Sequence, residues 1–308
     1  MWRYGGIEAA VADALRLSRA MTAKAAAAGL DQGGGKGVIA LPASAGGPPQ
    51  GDERTAVLLD FAETVDALDG RYVTAEDVGI SSEDMEVIAQ ATAHVSGLPT
   101  GRGGSGDPSP YTALGVQAAI VACCERVFGT PDLRGRSVAV VGFGQVGRRL
   151  AELLEARGAD ILAADIDPSK RAAAEALGAR WSELPDALSA DVDVLAPCAL
   201  GGVLDADTAG TVRARIIAGA ANNQLADDGI AELLAQRGIL WAPDFIVNAG
   251  GIINIAVERE PGGYDAQLAG RRVAKIADTL RAVFAHADAD AITPLAAALA
   301  LAQRNLAV

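Results

Sequence analysis

Two lysines, an acid and a glycine fingerprint carry the chemistry of this chain. Gly142, Gly144 and Gly147 stand in Gly142-Phe143-Gly144-Gln145-Val146-Gly147, and Asp165 follows about twenty residues later. A short apolar run, Ser137 to Val141, enters the glycines; a helix-period segment leaves them, and a second apolar run, Asp160 to Ala164, ends on the acid. This order is the βαβ dinucleotide fingerprint with its context intact. Gly142 allows the tight turn, Gly144 lets a pyrophosphate approach the backbone, and Gly147 lets helix pack on strand. The helix N-terminus offers free N–H groups to phosphates, and Asp165 is placed to accept hydrogen bonds from the adenosine ribose. Asp165 is anionic and no arginine lies beside it in Ala164-Asp165-Ile166-Asp167, so NAD is expected over NADP.

Lys24 and Lys36 lie twelve residues apart across Gly33-Gly34-Gly35. A fixed cation suits a carboxylate substrate, and a lysine beside a second cation or in a buried place has a lowered pKa and can act as a base. The glycine loop ending in Lys36 is not a P-loop: its order is helix, loop, strand, and Gly37 rather than Ser or Thr follows the lysine. The glycines are expected to let the backbone crowd a small ligand while Lys36 points into the site. Ala75-Glu76-Asp77 sets two acids at the end of an expected strand, Arg71 to Thr74.

The elements that must position these residues alternate between helix and strand. Helices are expected over Ile7–Ala28, Glu53–Leu68, Ser81–Gln90 and Thr112–Phe128, with a strand at Val38–Leu41. In the second half, Val192–Ala196, Arg215–Ala218 and Ile239–Trp241 read as buried parallel strands. The turns after them carry Cys198-Ala199, Ala220-Ala221-Asn222 and Asn248, at strand ends where an open α/β sheet collects ligands. Two closing helices, Asp265–Ala285 and Pro294–Leu306, are expected to brace the first domain. The predicted fold is α/β with two domains. Residues 1–111 form a smaller substrate and catalytic domain, 112–262 a doubly wound Rossmann domain, and 263–308 the returning helices.

Bulk properties exclude other classes. At 308 residues and a net charge of −13 without a basic stripe, the chain does not suit nucleic acid. No apolar run is expected to reach membrane-spanning length, so no membrane partner is expected. Cys123, Cys124 and Cys198 make neither a disulfide framework nor a metal spacing, which points to the cytoplasm and to no metal. His94 and His286 lie outside every motif, and Cys198, without a histidine partner, reads as a small core residue rather than a nucleophile.

The motifs together resemble the Glu/Leu/Phe/Val amino-acid dehydrogenase superfamily, leucine/valine/phenylalanine branch. The resemblance rests on Met21 to Lys24, Gly33 to Lys36, Thr74 to Gly79, Ser109 to Ala113, Pro197 to Gly202, Gly219 to Asn223 and Pro243 to Gly251, in collinear order. It implies reversible NAD-dependent oxidative deamination of an L-amino acid to a 2-oxo acid and ammonia by a homo-oligomer. By the same resemblance Lys24 binds the substrate carboxylate, and Lys36 activates water and steadies charge as the carbinolamine forms. Asp77 exchanges protons with the amine, and Asn248 holds the substrate. Thr112 and the Ala220-Ala221-Asn222 turn meet the nicotinamide side of the cofactor, with Cys198 and Ala199 beside them. Ile252 and Ile255 share a helix face and, with Ala75 opposite, are expected to narrow the side-chain pocket toward valine, leucine or isoleucine. Phenylalanine dehydrogenase and a non-catalytic NAD-binding member are the alternatives. Family members carry strand-forming sequence and a glycine pair ahead of the point where this chain opens, so the first domain is expected to be shortened, with an exposed strand edge.

Overall fold

The computed structural model describes residues 1–199 and 201–307. Its first half contains β1 (Trp2–Tyr4), α1 (Ile7–Ala27), β2 (Ala40–Pro42), α2 (Gly51–Asp66) and α3 (Ser82–Ile88). The long α4 (Ser109–Phe128) leads into β3 (Ser137–Val141), α5 (Gln145–Glu155), β4 (Asp160–Ala164), α6 (Arg171–Ala176), β5 (Arg180–Trp181) and α7 (Leu184–Leu188). Then follow β6 (Val194–Pro197), α8 (Ala206–Thr211), β7 (Ile216–Ile217), α9 (Gly229–Gln236), β8 (Leu240–Trp241), α10 (Asp244–Val247) and α11 (Gly250–Ala256). The chain closes with α12 (Ala266–Ala274), α13 (Ile276–Asp290) and α14 (Pro294–Leu306).

The six strands β3 to β8 form one parallel sheet in the order β5-β4-β3-β6-β7-β8. This is the doubly wound order, and its reversal falls between β3 and β6. Their pairing runs from Val138 opposite Val194 to Val141 opposite Pro197. The chain therefore turns away from both strands at one crevice, carrying Gly142 on one side and Cys198 on the other. Both faces of the sheet are covered. Val138, Val140, Val194, Ala196, Ile216 and Ala218 meet one core, while Ala139, Val141, Leu195 and Ile217 meet a second. Burial on both faces is why these strands read as unbroken apolar runs rather than as alternation.

The smaller half has its own core of Leu58, Ala62, Met85 and Ile88, between α2 and α3. A two-stranded parallel sheet pairs β1 with β2, Trp2 opposite Ala40; the sequence reading does not anticipate β1. The expected strand over 71–74 contracts to a single parallel bridge between Thr74 and Val95. Only Thr74 has a backbone partner there, exchanging bonds with His94 and Ser96, while the Arg71 amide turns back to the Leu68 carbonyl. Ser81 and Asp84 form a capping box that starts α3. The last helix does return to the first: Asn305 Nδ2 donates to the Ala26 carbonyl at 2.8 Å, an acceptor the Gly29 amide also uses at 3.1 Å. The closing helices number three, because the helix over 265–285 is interrupted at Lys275.

One sequence expectation needs correcting. Among the described residues α4 is long and apolar enough to cross a membrane by length and composition alone. Its Ala113, Val116, Ala119, Ile120 and Cys123 are, however, fully buried in the protein core. It is a central interior helix.

Candidate active site

Lys36 and Asp77 meet as an ion pair, joining the glycine loop to the turn after Thr74. Lys36 is the more enclosed partner, with 21% of its side chain exposed against 48% for Asp77. Burial lowers the Lys36 pKa, and the nearby charge of Asp13 opposes the shift. Glu76, the neighbouring acid, is occupied elsewhere: its Oε2 accepts from Ser82 Oγ at 2.7 Å. Of the two acids, only Asp77 reaches the lysine. Its turn is fixed from below by Arg54, which donates to the Gly79 carbonyl at 2.9 Å and pairs with the buried Asp84. That guanidinium holds the Asp84 carboxyl below its usual range, against the effect of burial.

The glycine loop does something other than crowd a ligand. A Cβ at Gly34 would strike the backbone of α1 at Thr22 and Ser18. One at Gly35 would stand 2.7 Å from the Tyr72 ring, and one at Gly37 2.7 Å from Phe61. These glycines lay the loop flat on its own domain, and Tyr72 locks it by accepting from the Gly37 amide at 2.8 Å. Lys36 is held over Asp77 by that packing.

Lys24, in the last turn of α1, reaches across to the sheet domain and donates to Asn222 Oδ1 at 2.8 Å. The Asn248 side-chain amide donates to the same oxygen at 2.9 Å and to the Ala220 carbonyl at 3.2 Å. Asn248 is the C-cap residue of α10, and its side chain points back to the 220–222 turn rather than capping α11. Its own Oδ1 is buried and has no partner. Burial lowers the Lys24 pKa to about 8; the charge of Asp244 resists the shift and that of Lys36 adds to it. Asp244 itself is buried, and that burial raises its pKa against the bond from the Gln224 amide and the charge of Lys24.

Sequence reasoning missed Gln224. Fully buried, it donates through Nε2 to the carbonyls of Gly219 and Ala221 and accepts from the Trp241 indole at 3.1 Å. It therefore sets the turn that presents Asn222. A glutamine just after an Ala-Asn-Asn turn carries no signal in spacing alone, because its partner Trp241 comes from another strand.

The dinucleotide fingerprint folds as a cradle. Gly142 has a φ of +103°, and a Cβ at Gly147 would strike the Gly142 carbonyl. At Gly144 no atom stands within 4 Å of a Cβ position, so the turn opens outward there. α5 begins without a side-chain cap, and its first amides face that opening, as phosphate binding requires. Phe143 is buried under the turn, Gln145 is exposed and Val146 half-buried. These residues fit a pyrophosphate. Across the crevice, the Cys198 amide donates to the Val141 carbonyl at 2.7 Å, and Ala199 lies against Gly142. Cys198 packs against the larger core, and burial drives its thiol up to about 12, which disfavours the thiolate. Thr112 lies in the first turn of α4, its hydroxyl on the Pro108 carbonyl and close beneath Gly251.

Asp165 closes the cradle, with a cation beside it that the sequence reading overlooked. Its Oδ2 accepts from the Phe143 amide at 2.6 Å and from Lys170 Nζ at 2.9 Å, and Oδ1 accepts from the Asp167 amide at 2.9 Å. Burial pushes its pKa up, but the bonds from Asp167, Lys170 and Phe143 outweigh that and leave the carboxyl below its usual range.

Ala75, Ile252 and Ile255 are all half-buried. Ile252 packs against the larger core; Ile255 belongs to none of the buried clusters.

Comparison with known proteins places this arrangement. Residues 4–94 match the family model for the Glu/Leu/Phe/Val dehydrogenase dimerisation domain, and residues 168–273 match that for Glutamate/Leucine/Phenylalanine/Valine dehydrogenase. The leucine dehydrogenase of Bacillus subtilis (strain 168) is 42% identical over 99% of this chain and 82% of its own length. The valine dehydrogenase of Streptomyces virginiae is 42% identical over 98% of this chain and 84% of its own. Among solved structures, L-tryptophan dehydrogenase from Nostoc punctiforme superposes with a TM-score of 0.82 at 39% identity, covering 98% of this chain and 86% of that one. The hetero-hexameric glutamate dehydrogenase of Thermus thermophilus gives 0.76 at 26% identity, over 95% and 77%. With two family models in order and relatives matching nearly end to end, the chain belongs to the Glu/Leu/Phe/Val dehydrogenase family of amino-acid dehydrogenases.

Proposed function

We propose that this protein catalyses the reversible, NAD-dependent oxidative deamination of a branched aliphatic L-amino acid to its 2-oxo acid and ammonia. The observation that carries the reading is the Lys36–Asp77 ion pair, close enough to Lys24 for the Lys36 charge to act on it. A carboxylate entering the site would replace Asn222 Oδ1 on Lys24 and be held by the Asn248 amide as well. Asp77, beside Lys36, takes the proton that the substrate ammonium must lose. After the α-carbon has given up its hydride, Lys36 in its neutral form takes a proton from the water that adds there, and the nitrogen then leaves as ammonia. Bound NAD would supply the hydride acceptor for that carbon. Residues 1–111 bring the lysines and the acid, residues 112–262 bring the cradle, and residues 263–308 tie the two together.

A homo-oligomer in the cytoplasm completes the proposal. The dimerisation-domain match over residues 4–94 supports the first, and three free cysteines fit a reducing compartment. Leucine and valine dehydrogenases among the relatives favour an aliphatic side chain. The likeness to a tryptophan dehydrogenase favours a second reading, an aromatic amino acid in the same site. Formation of NADH with L-valine, L-leucine, L-phenylalanine and L-tryptophan tests both. The highest kcat/KM on valine or leucine is expected; a preference for the aromatic pair would select the second reading, and no NADH from any of them would point to a non-catalytic member.

A further inference from the structure

The acid of a dinucleotide fingerprint favours NAD because a 2′-phosphate would meet its negative charge. In this chain that charge is already answered. Lys170 lies in the short turn Pro168–Lys170 that follows β4, and its ammonium sits 2.9 Å from Asp165 Oδ2. The Asp165 side chain is only 6% exposed, and 34% of the Lys170 side chain remains open to solvent. An ammonium has three donors and a carboxylate about four acceptor positions. Asp165 has filled three of its positions, with Phe143, Asp167 and Lys170. Lys170 has spent one donor and keeps two, on a side chain that remains partly open to solvent. The other basic side chain of this turn, Arg171, is drawn off to Glu175. Asp167 is the opposing charge, but it is fully solvated and turned onto the Ser169 amide at 3.0 Å. Ile166, 84% exposed, is turned out to solvent.

We infer that Lys170 sets the cofactor selectivity of this site: its ammonium neutralises Asp165 and offers its remaining donors to a ribose 2′-phosphate, so that NADP is bound as well as NAD. The inference rests on the dinucleotide reading of the cradle. Fluorescence titration of the full-length protein with NADH and NADPH, without substrate, measures it directly. The two Kd values should lie within about tenfold of one another in the wild type, since a charge-assisted contact offsets the like-charge penalty. Lys170→Gln should shift their ratio toward NADH by at least about tenfold, and Lys170→Arg, which keeps the cation, should restore it. Added salt should weaken NADPH more than NADH. An unchanged ratio in Lys170→Gln, or a wild type that binds NADH but not NADPH, would overturn the assignment and leave the cradle standing. Binding of neither dinucleotide would overturn both.

Discussion

Lys24 and Asn222 are 198 residues apart in sequence and joined by a 2.8 Å hydrogen bond, one from α1 and the other from the turn after β7. The same Asn222 oxygen accepts from Asn248 at 2.9 Å. An oxygen held by an ammonium and an amide is in the situation of one oxygen of a bound carboxylate. The two domains are thus bridged by a group that, on the proposed reading, a substrate carboxylate would displace. Replacing Lys24 by Met should raise the amino-acid KM by about tenfold to a hundredfold, the worth of a hydrogen bond to a charged group. The fall in kcat should be smaller, and NADH affinity should be unaltered. Steady-state kinetics with a parallel NADH titration check this; an unchanged KM would remove Lys24 from the substrate site.

The lowered lysine pKa values make pH a second probe. Lys24 must be charged to hold a carboxylate, and its pKa is lowered to about 8, so KM for the amino acid should rise as pH passes that value. Lys36 must be neutral to take a proton, so kcat in the deamination direction should rise with pH. The two trends together give kcat/KM a maximum. Stability follows the same linkage. Between about pH 8 and the ordinary lysine value of 10.5 the unfolded chain binds more protons at Lys24 than the folded one does. Lys24 therefore penalises the fold below pH 8, and the penalty fades as pH rises through this window. Lys24→Met should raise Tm at neutral pH, with the gain over wild type vanishing above pH 10.5. A constant difference across that range would mean the buried ammonium carries no such cost.

Removing the ion pair separates chemistry from binding. Lys36→Ala should abolish measurable turnover, and Asp77→Asn should lower kcat by about a hundredfold to ten-thousandfold, the usual worth of a positioned acid or base. Neither should weaken NADH binding, as the cradle belongs to other elements. A Lys36→Ala enzyme that retained most of its kcat would take the lysine out of the mechanism.

Gln224 acts through the turn it holds. Gln224→Leu would leave the Gly219 carbonyl and the Trp241 N–H without partners, at about 1–3 kcal/mol each, and would leave the Ala221 carbonyl only the long bond from Asn248 at 3.4 Å. A lower Tm and a raised amino-acid KM are expected together, because the 219–223 turn carries Asn222. A Tm loss with wild-type KM would show that the turn keeps its shape without the glutamine.

The fingerprint was legible because it is local: glycines, helix and acid lie within thirty residues and their order is fixed by the βαβ geometry. The buried strands were legible for a similar reason, both faces being apolar. What could not be read were partnerships across the fold. Nothing in Ala164-Asp165-Ile166-Asp167 shows that Lys170 curls back onto Asp165, and the Gly33–Gly37 loop reads as a ligand cradle until Tyr72 and Phe61 arrive against it. The strand over 71–74 failed because β-propensity requires a neighbour to pair with, and only Val95 is in reach.

Substrate size is the last expectation to test, and the structure divides the two isoleucines that the sequence treats alike. Ile252 and Ile255 are three apart in α11, the spacing of one helix face. That helix begins just after Asn248, which joins the Lys24–Asn222 bridge. Between them, Ile253 and Asn254 turn inward and are buried; Asn254 accepts from the Tyr264 hydroxyl at 2.6 Å, which fixes the rotation of α11. Ile252 leans on the larger core, whereas Ile255 is half-buried outside it. Ile255→Ala should therefore open the pocket at little cost to Tm, shifting the kcat/KM ratio from valine toward phenylalanine and tryptophan. The shift should be modest, since each methylene in an apolar pocket is worth about 1–3 kcal/mol. Ile252→Ala should instead lower Tm, by the few kcal/mol typical of a deleted core side chain and less for its partial exposure, with a smaller change in selectivity. Kinetics on the three amino acids beside thermal melts distinguish the two roles. A wild type that already prefers the aromatic substrates, or an Ile255→Ala ratio equal to that of wild type, would show that this face does not line the side-chain pocket.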